Sequence, residues 1–211
     1  SWTDADYERH GTQVGLRIAP KVDYIVVRME PNNRDFYKDA PAGNATDAQK
    51  AAWRAEINRT ANIVARAIRK AHPKAIVATP AWINPDHVRE AVAQCPDCNA
   101  VAAHPYNWTP KQIDEANALA GDKPLIFAEW GSQVRTNTPA QQAEANERIR
   151  KTHDGKCDVS IVYTLQIIRR PDGKLEVDAM FMSAYDDQGN RRGELADWVD
   201  AKVATRKPVI V

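Results

Sequence analysis

The sequence predicts an α/β protein: about five parallel strands with helices packed outside them, TIM-barrel-like, as in part of a (β/α)8 barrel. Three observations carry this. Short apolar runs recur at residues 24–28, 75–79, 100–103, 124–128 and 159–164. Unbroken runs of that length are the mark of strands buried on both faces. Amphipathic helical stretches separate the runs, and no tight hairpin signal joins two of them, so the connections are crossovers and the sheet is parallel. Finally, two runs end on a glutamate with a loop-forming residue close behind: Met29-Glu30-Pro31, and Phe127-Ala128-Glu129-Trp130-Gly131. The C-terminal end of a strand is where a barrel places its chemistry.

Each helix has its own signals. Residues 2–22 have room for one helix before the first strand. Thr46-Asp47-Ala48-Gln49 reads as a capping box. Ile57, Ala61, Val64, Ile68 and Ala71 then share one face, and Pro73 ends the helix. Asn84-Pro85 is a cap followed by proline at the first helical position, with Val88, Ala91 and Val92 as the apolar stripe. Thr109-Pro110-Lys111-Gln112 repeats the capping pattern, with Ile113, Ala116 and Leu119 inward and Gly121 as terminator. Thr138-Pro139-Ala140-Gln141 opens a helix through Ile149. Gly193 precedes a last one, with Leu195, Val199 and Val203 on one side. Residues 169–190 break the rhythm with turn chemistry at Pro171-Asp172-Gly173 and Asp187-Gln188-Gly189-Asn190, which predicts an excursion such as a hairpin.

Five strands fall short of the eight in a closed barrel, which typically takes ~250 residues. Two readings follow. The chain is the C-terminal part of a barrel whose first three units are not visible, or it is an open sheet. Either way, residues 1–211 form a single domain.

Bulk composition excludes several classes. The 211 residues are 43% hydrophobic and 27% charged, ordinary for a globular protein. With 29 basic and 28 acidic side chains the net charge is +1, so no nucleic-acid or anionic-membrane footprint is expected. No apolar run approaches the ~20 residues of a membrane span. The start, Ser1-Trp2-Thr3-Asp4, has neither a basic nor an apolar leader region, which leaves localisation open, extracellular or envelope-associated included. Cys95-Pro96-Asp97-Cys98 lacks the second pair of a zinc site, so a local disulfide or two free thiols is expected, and Cys157 reads as a buried small hydrophobe. No phosphate loop or Ser-His-Asp pattern appears, and neither cofactor nor metal is expected. Arg169-Arg170 reads as a solvated loop. The glycosylation triplets at Asn44, Asn58 and Asn107 largely overlap helix caps or helix interior and read as chance.

The order of motifs carries a family resemblance. A strand followed by Glu30-Pro31-Asn32, a strand followed by His104-Pro105-Tyr106, and a strand followed by Glu129-Trp130-Gly131 resemble strands 4 to 8 of the clan A retaining glycoside hydrolases. The resemblance covers nearly the whole chain. It implies that Glu30 is the acid/base and Glu129 the nucleophile of a retaining mechanism, the pair about 5–5.5 Å apart. It implies that His104 and Tyr106 belong to the motif after strand 6, with Tyr106 holding the nucleophile in line. Trp82, Trp108 and Trp130 each follow a strand and are candidate sugar platforms, although tryptophans there also serve packing. Asn32, Asn33 and Gln133 are candidate hydroxyl ligands. The expected partner is a carbohydrate substrate, with an upstream segment or another chain completing the barrel.

Two positions depart from the family pattern. The residue before the acid/base is usually an asparagine that contacts the sugar 2-hydroxyl, and here it is Met29. The end of strand 8 usually carries a tryptophan, and here the stretch is Tyr163-Thr164-Leu165-Gln166. The rival readings are a non-catalytic barrel, serving as a carbohydrate-binding or structural module of a larger assembly, and an unrelated α/β enzyme with two coincidental glutamates.

Overall fold

The computed structural model describes residues 2–31, 34, 37–132, 138–162, 190–191 and 193–203. The expected hairpin at 169–190, the end of the last strand run at 163–164, and the candidate ligands Asn32, Asn33 and Gln133 lie outside the described residues.

The described strands are β1 (Tyr24–Val26), β2 (Ile76–Ala78), β3 (Val101–Ala103), β4 (Leu125–Trp130) and β5 (Val159–Val162). All pairings among them are parallel. Tyr24 pairs with Ile76, Val101 with Leu125, and Ile126 with Val159. Single parallel bridges, Ala78 to Ala100 and Trp82 to Ala103, join β2 to β3. Spatial order therefore follows chain order without reversal. A doubly wound open sheet reverses at a switch point, whereas a barrel wall does not.

Helices α1 (Asp4–Arg17), α2 (Asp47–Ala71), α3 (Pro85–Gln94), α4 (Pro110–Ala120), α5 (Pro139–His153) and α6 (Gly193–Val203), with a short 3-10 helix at Ala19–Lys21, complete the described elements. The expected capping boxes form at Thr46/Gln49, Thr109/Gln112 and Thr138/Gln141, and another forms at Thr3/Asp6. Asn84 caps α3 by accepting from the amide of Asp86. Two boundaries differ from expectation. Helix α5 runs a turn beyond Ile149, to His153, and β4 runs on through Glu129 to Trp130. The longest helix does not approach the apolarity of a membrane span: no described helix is long and apolar enough to cross a bilayer.

The sheet has two apolar faces, as period-two alternation requires of strands covered on both sides. Val101, Ala103, Leu125 and Phe127 pack beneath the helices with Ile57, Val88 and Ile113. Val77 joins Ala61, Ala65 and Ile68 of α2. The opposite face is built from small residues, Ala78, Ala100, Ala102 and Ala128, with Ile126 among them. Helix α1 lies directly on α2 through Gly11 and Gly15, where a Cβ would come within 2.6–2.7 Å of the carbonyl oxygens of Val64 and Ile68.

Candidate active site

The site forms where the C-terminal ends of β1, β3 and β4 converge. Alternation places His104 and Tyr106 on the same face as Ala100 and Ala102, away from the helices. The amide of His104 donates to the carbonyl of Trp82, and the amide of Tyr106 donates back to the carbonyl of His104, so the turn through Pro105 is tight. Glu129 needs a different device. Regular alternation puts it with Leu125 and Phe127 on the helix side. The β4–β5 register breaks between Phe127 and Trp130. Trp130 then returns to the helix-side core beside Phe127, and Glu129 is turned to the other face. Re-aiming a side chain at a site is the usual work of a bulge.

Glu30 also departs from regular backbone. Its φ is 39°, in the left-handed region where non-glycine residues are uncommon. Its amide donates to the carbonyl of Ala81 on the neighbouring strand, which fixes the turn. The indole of Trp53 donates to the carbonyl of Pro31 at 3.0 Å and secures the following residue. Strain held by such contacts concentrates at functional sites.

These elements bring four chemically active side chains together. His104 Nδ1 lies 3.3 Å from Glu30 Oε1 and 3.8 Å from Glu129 Oε2. The Tyr106 hydroxyl donates to Glu129 Oε1. One carboxylate oxygen of Glu30, one of Glu129 and one ring nitrogen of His104 all lie within 4.8 Å of one another. His104 is fully buried, while the glutamates keep 15% and 20% side-chain exposure, so each carboxylate has a wet edge. A proton on Nδ1 serves as donor to whichever of the two carboxylates is ionised. Among the described residues His104 Nε2 has no hydrogen-bond partner, which suits the nitrogen that carries no proton. Two carboxylates and an imidazole also form a donor set of the type that divalent ions accept.

The structure corrects two site expectations. Trp82 and Trp130 are 1% and 2% exposed, so neither offers a ring face to a sugar. Trp82 donates its indole N–H to Asn58 at 3.4 Å and meets the edge of His87. Trp130 packs edge-on against His153 and Trp198. Residues just past a strand end were close enough to the core to be drawn into it. Trp108 is half-buried, with its indole N–H on the carbonyl of Ile83 at 2.6 Å. Met29 is exposed at the strand end, beside Ala81.

Other residues near the site are also accounted for. The guanidinium of Arg28 lies over the rings of Tyr7 and Tyr37. Of the two states expected for Cys95 and Cys98, the structure has the free, buried thiols, and Cys95 Sγ donates to the carbonyl of Asn58. The hydrogen bond with Cys95, and after it burial, push the Cys98 thiol far above its ordinary pKa. Cys157 is half-buried rather than buried. Asn58 is fully buried in α2 and out of reach of glycosylation.

Sequence reasoning missed the supports beneath Glu129. Gln142 and Asn146, one helical turn apart on α5, are both buried. Asn146 Oδ1 accepts from the amide of Ser132 at 2.9 Å, and Gln142 donates to the Ser132 carbonyl. They clamp the chain immediately after Trp130-Gly131. The available signal was a pair of amides at i, i+4 on the inward face of a helix. His153 was also missed. Its ring packs against Phe127 and Trp130, and burial lowers its pKa to about 4, so it is neutral at pH 7.

No protein-family model matches the sequence, and no curated protein matches it. Solved structures do match. A GH39 enzyme from Xanthomonas axonopodis pv. citri superposes with a TM-score of 0.64 at 16% identity, covering 98% of this chain and 46% of that one. An exo-β-1,4-mannosidase from Opitutaceae bacterium strain TAV5 gives 0.62 at 14% identity, covering 95% and 40%. The catalytic core of xylanase A gives 0.61 at 12% identity, covering 94% and 72%. This chain spans less than half the length of the first two. At these identities the likeness is one of fold. The chain is folded like the TIM-barrel glycosidases of clan A, the group whose motif order its sequence resembles.

Proposed function

We propose that this chain carries the catalytic half of a retaining glycoside hydrolase acting on a poly- or oligosaccharide. The observation that supports it is the spacing of Glu30 and Glu129, whose nearest site oxygens lie within 4.8 Å. Retaining enzymes hold their carboxyls about 5–5.5 Å apart, whereas inverting ones leave ~6.5–9.5 Å for a water.

In this reading Glu129 attacks the anomeric carbon as Glu30 protonates the departing glycosidic oxygen, and the C–O bond to the leaving sugar breaks. Glu30, now a carboxylate, takes a proton from water, which displaces Glu129 and regenerates both groups. Tyr106 orients the nucleophile through its hydrogen bond. Glu30 starts protonated and Glu129 ionised, so His104 steadies the Glu129 carboxylate at rest and the Glu30 carboxylate once its proton has left. The role of each residue is the family's, carried onto a geometry that accommodates it.

Completion of the barrel belongs to the same proposal. Strands β1 and β5 are the two ends of the described parallel sheet, and exposed sheet edges are normally covered or paired. Three further β/α units, from an upstream segment or another chain, would close the wall. The 211-residue chain alone is then expected to self-associate in size-exclusion chromatography, and a monodisperse monomer would count against completion.

The decisive experiment is hydrolysis of a panel of aryl glycosides and neutral oligosaccharides by wild type and Glu129→Gln. Activity lost in Glu129→Gln supports the reading, and turnover indifferent to it places the chemistry elsewhere. A second reading has one observation in its favour. Met29 cannot hydrogen-bond a 2-hydroxyl as asparagine does, which fits a barrel retained for binding alone. Binding of oligosaccharide without turnover would select it.

A further inference from the structure

A cavity of about 600 Å3 opens between α1, α2 and the chain that follows β1, within the size range of small-ligand pockets. Glu30, His104, Tyr106 and Glu129 do not line it. Its apolar floor includes Val27, Ala61 and Val64, which pack together on the helix side of the sheet. Aromatic rings stand above that floor. Trp2 meets Tyr7 with ring centroids 5.2 Å apart, Tyr37 lines the loop side, and Trp53 is fixed by its bond to the Pro31 carbonyl.

Arg28 lies in the wall with its charge unanswered. Its guanidinium is half-buried and sits over the rings of Tyr7 and Tyr37, 5.8 and 5.5 Å from their centroids. Among the described residues no carboxylate forms an ion pair with it, and its hydrogen bond is a long one, 3.5 Å from Nη2 to the Thr60 hydroxyl. A guanidinium has five N–H donors, so most of the fork is unspent. The other charges in the wall are accounted for. Glu56 is held by two bonds from Arg59, 2.8 and 3.0 Å long, and Arg59 also grips Asp4. Lys38 and Asp39 are exposed neighbours of opposite sign. The walls therefore carry no large net field, and selection for an anion rests on the Arg28 fork.

We propose that this cavity binds a small aromatic acid, with its carboxylate on the Arg28 guanidinium and its ring among the aromatic side chains. The site does not rest on the glycosidase reading, since neither glutamate takes part. A carboxylate meets the edge of a guanidinium through two parallel N–H···O bonds, which leaves the guanidinium face to the tyrosines. Those rings already hold the guanidinium, so less side-chain freedom is lost on binding. The apolar floor and the indoles take the ring of the ligand out of water. A bare anion could meet the fork but would leave that surface uncovered.

The test is calorimetric titration of the 211-residue chain with 3-phenylpropionate, its uncharged amide 3-phenylpropionamide, acetate and inorganic phosphate at fixed ionic strength. The acid is expected to bind roughly tenfold or more tighter than the amide, because its bonds to the guanidinium are charge-assisted on both sides. It should also bind roughly tenfold or more tighter than acetate or phosphate, which bury no ring. Arg28→Lys keeps the charge but loses the planar fork, and should weaken the acid by roughly tenfold while leaving the amide unchanged. Lys38→Gln, at an exposed position, should change neither by more than about twofold. Thermal melts check that both variants fold. A second readout uses the unaltered chain: the assigned Arg28 Nε–H resonance should move on adding the acid and not on adding the amide. No binding of the acid, equal affinity for acid and amide, equal affinity for acid and phosphate, a motionless Arg28 resonance, or an affinity that falls in Lys38→Gln and not in Arg28→Lys would each overturn the site.

Discussion

Tyr106 and Glu129 meet across adjacent parallel strands, the tyrosine hydroxyl donating to a carboxylate oxygen of the glutamate. The contact depends on two local irregularities. One is the tight turn through Pro105, and the other is the register break in β4. Tyr106→Phe removes the bond and keeps the ring. Hydrogen bonds to charged groups contribute about 1.5–3 kcal/mol, so kcat should fall by roughly 10- to 100-fold with the fold unchanged. Steady-state kinetics alongside a thermal melt would check this, and an unaltered kcat would remove the orienting role.

The two glutamates should respond differently to substrate chemistry. Glu30→Ala is expected to lose most activity on sugars with poor leaving groups and little on activated aryl glycosides, which need no protonation. Glu129→Gln should lose both, since the glycosyl intermediate cannot form. Comparing the two variants on a leaving-group series tests the assignment. Equal sensitivity in both would mean that Glu30 is not the acid.

Met29 offers a gain-of-function test. Contacts to the 2-hydroxyl strengthen in the transition state and contribute to several kcal/mol of stabilisation in these enzymes. Met29 is exposed at the end of the β1 stretch, so Met29→Asn should fold normally. A rise in kcat of roughly tenfold or more is expected on substrates that carry a 2-hydroxyl, and none on 2-deoxy analogues. A rise on both would show an effect unrelated to that hydroxyl.

His153 should make stability depend on pH. Burial lowers its pKa in the fold to about 4, below the ~6.5 of an exposed imidazole. The unfolded chain therefore binds the extra proton first as pH falls. The contribution is complete above pH ~6.5 and is lost between there and about pH 4, at most about 3 kcal/mol. Urea midpoints at pH 7.5 and 5 should differ in wild type and converge in His153→Phe. A wild-type midpoint independent of pH would show that the ring takes up its proton without cost.

The α1–α2 contact should not tolerate a methyl group. At Gly11 a Cβ would lie 2.6 Å from the Val64 carbonyl and 2.8 Å from the Ala67 side chain. Alanine gains about 1 kcal/mol of helix propensity over glycine, yet overpacking against backbone costs about 1–3 kcal/mol. Gly11→Ala should therefore lower the urea midpoint, or at best leave it level. A clear rise would mean that the helices separate freely.

Local rules were enough for much of the fold. Thr46, Asn84, Thr109 and Thr138 announce helix starts because a cap needs only its own side chain and the next turn. The five strand runs were legible because strands covered on both faces leave no polar alternation to confuse the reading. The motif order named Glu30, His104, Tyr106 and Glu129 as candidates, and these four side chains lie together in the structure. Other features depended on contacts distant in sequence. That Glu129 faces Tyr106 rests on a bulge set by pairing with β5, which no residue in the 124–131 run betrays. Whether Trp82 and Trp130 stack on sugar or pack inward was decided by Asn58, His153 and Trp198, all far along the chain. The clamp of Gln142 and Asn146 on Ser132 is likewise a meeting of α5 with the strand-end loop. The sequence by itself determined which elements form and which residues stand at their ends. Only the tertiary structure decided which way those end residues point, because a side chain one or two positions past a strand is governed by its neighbours in space.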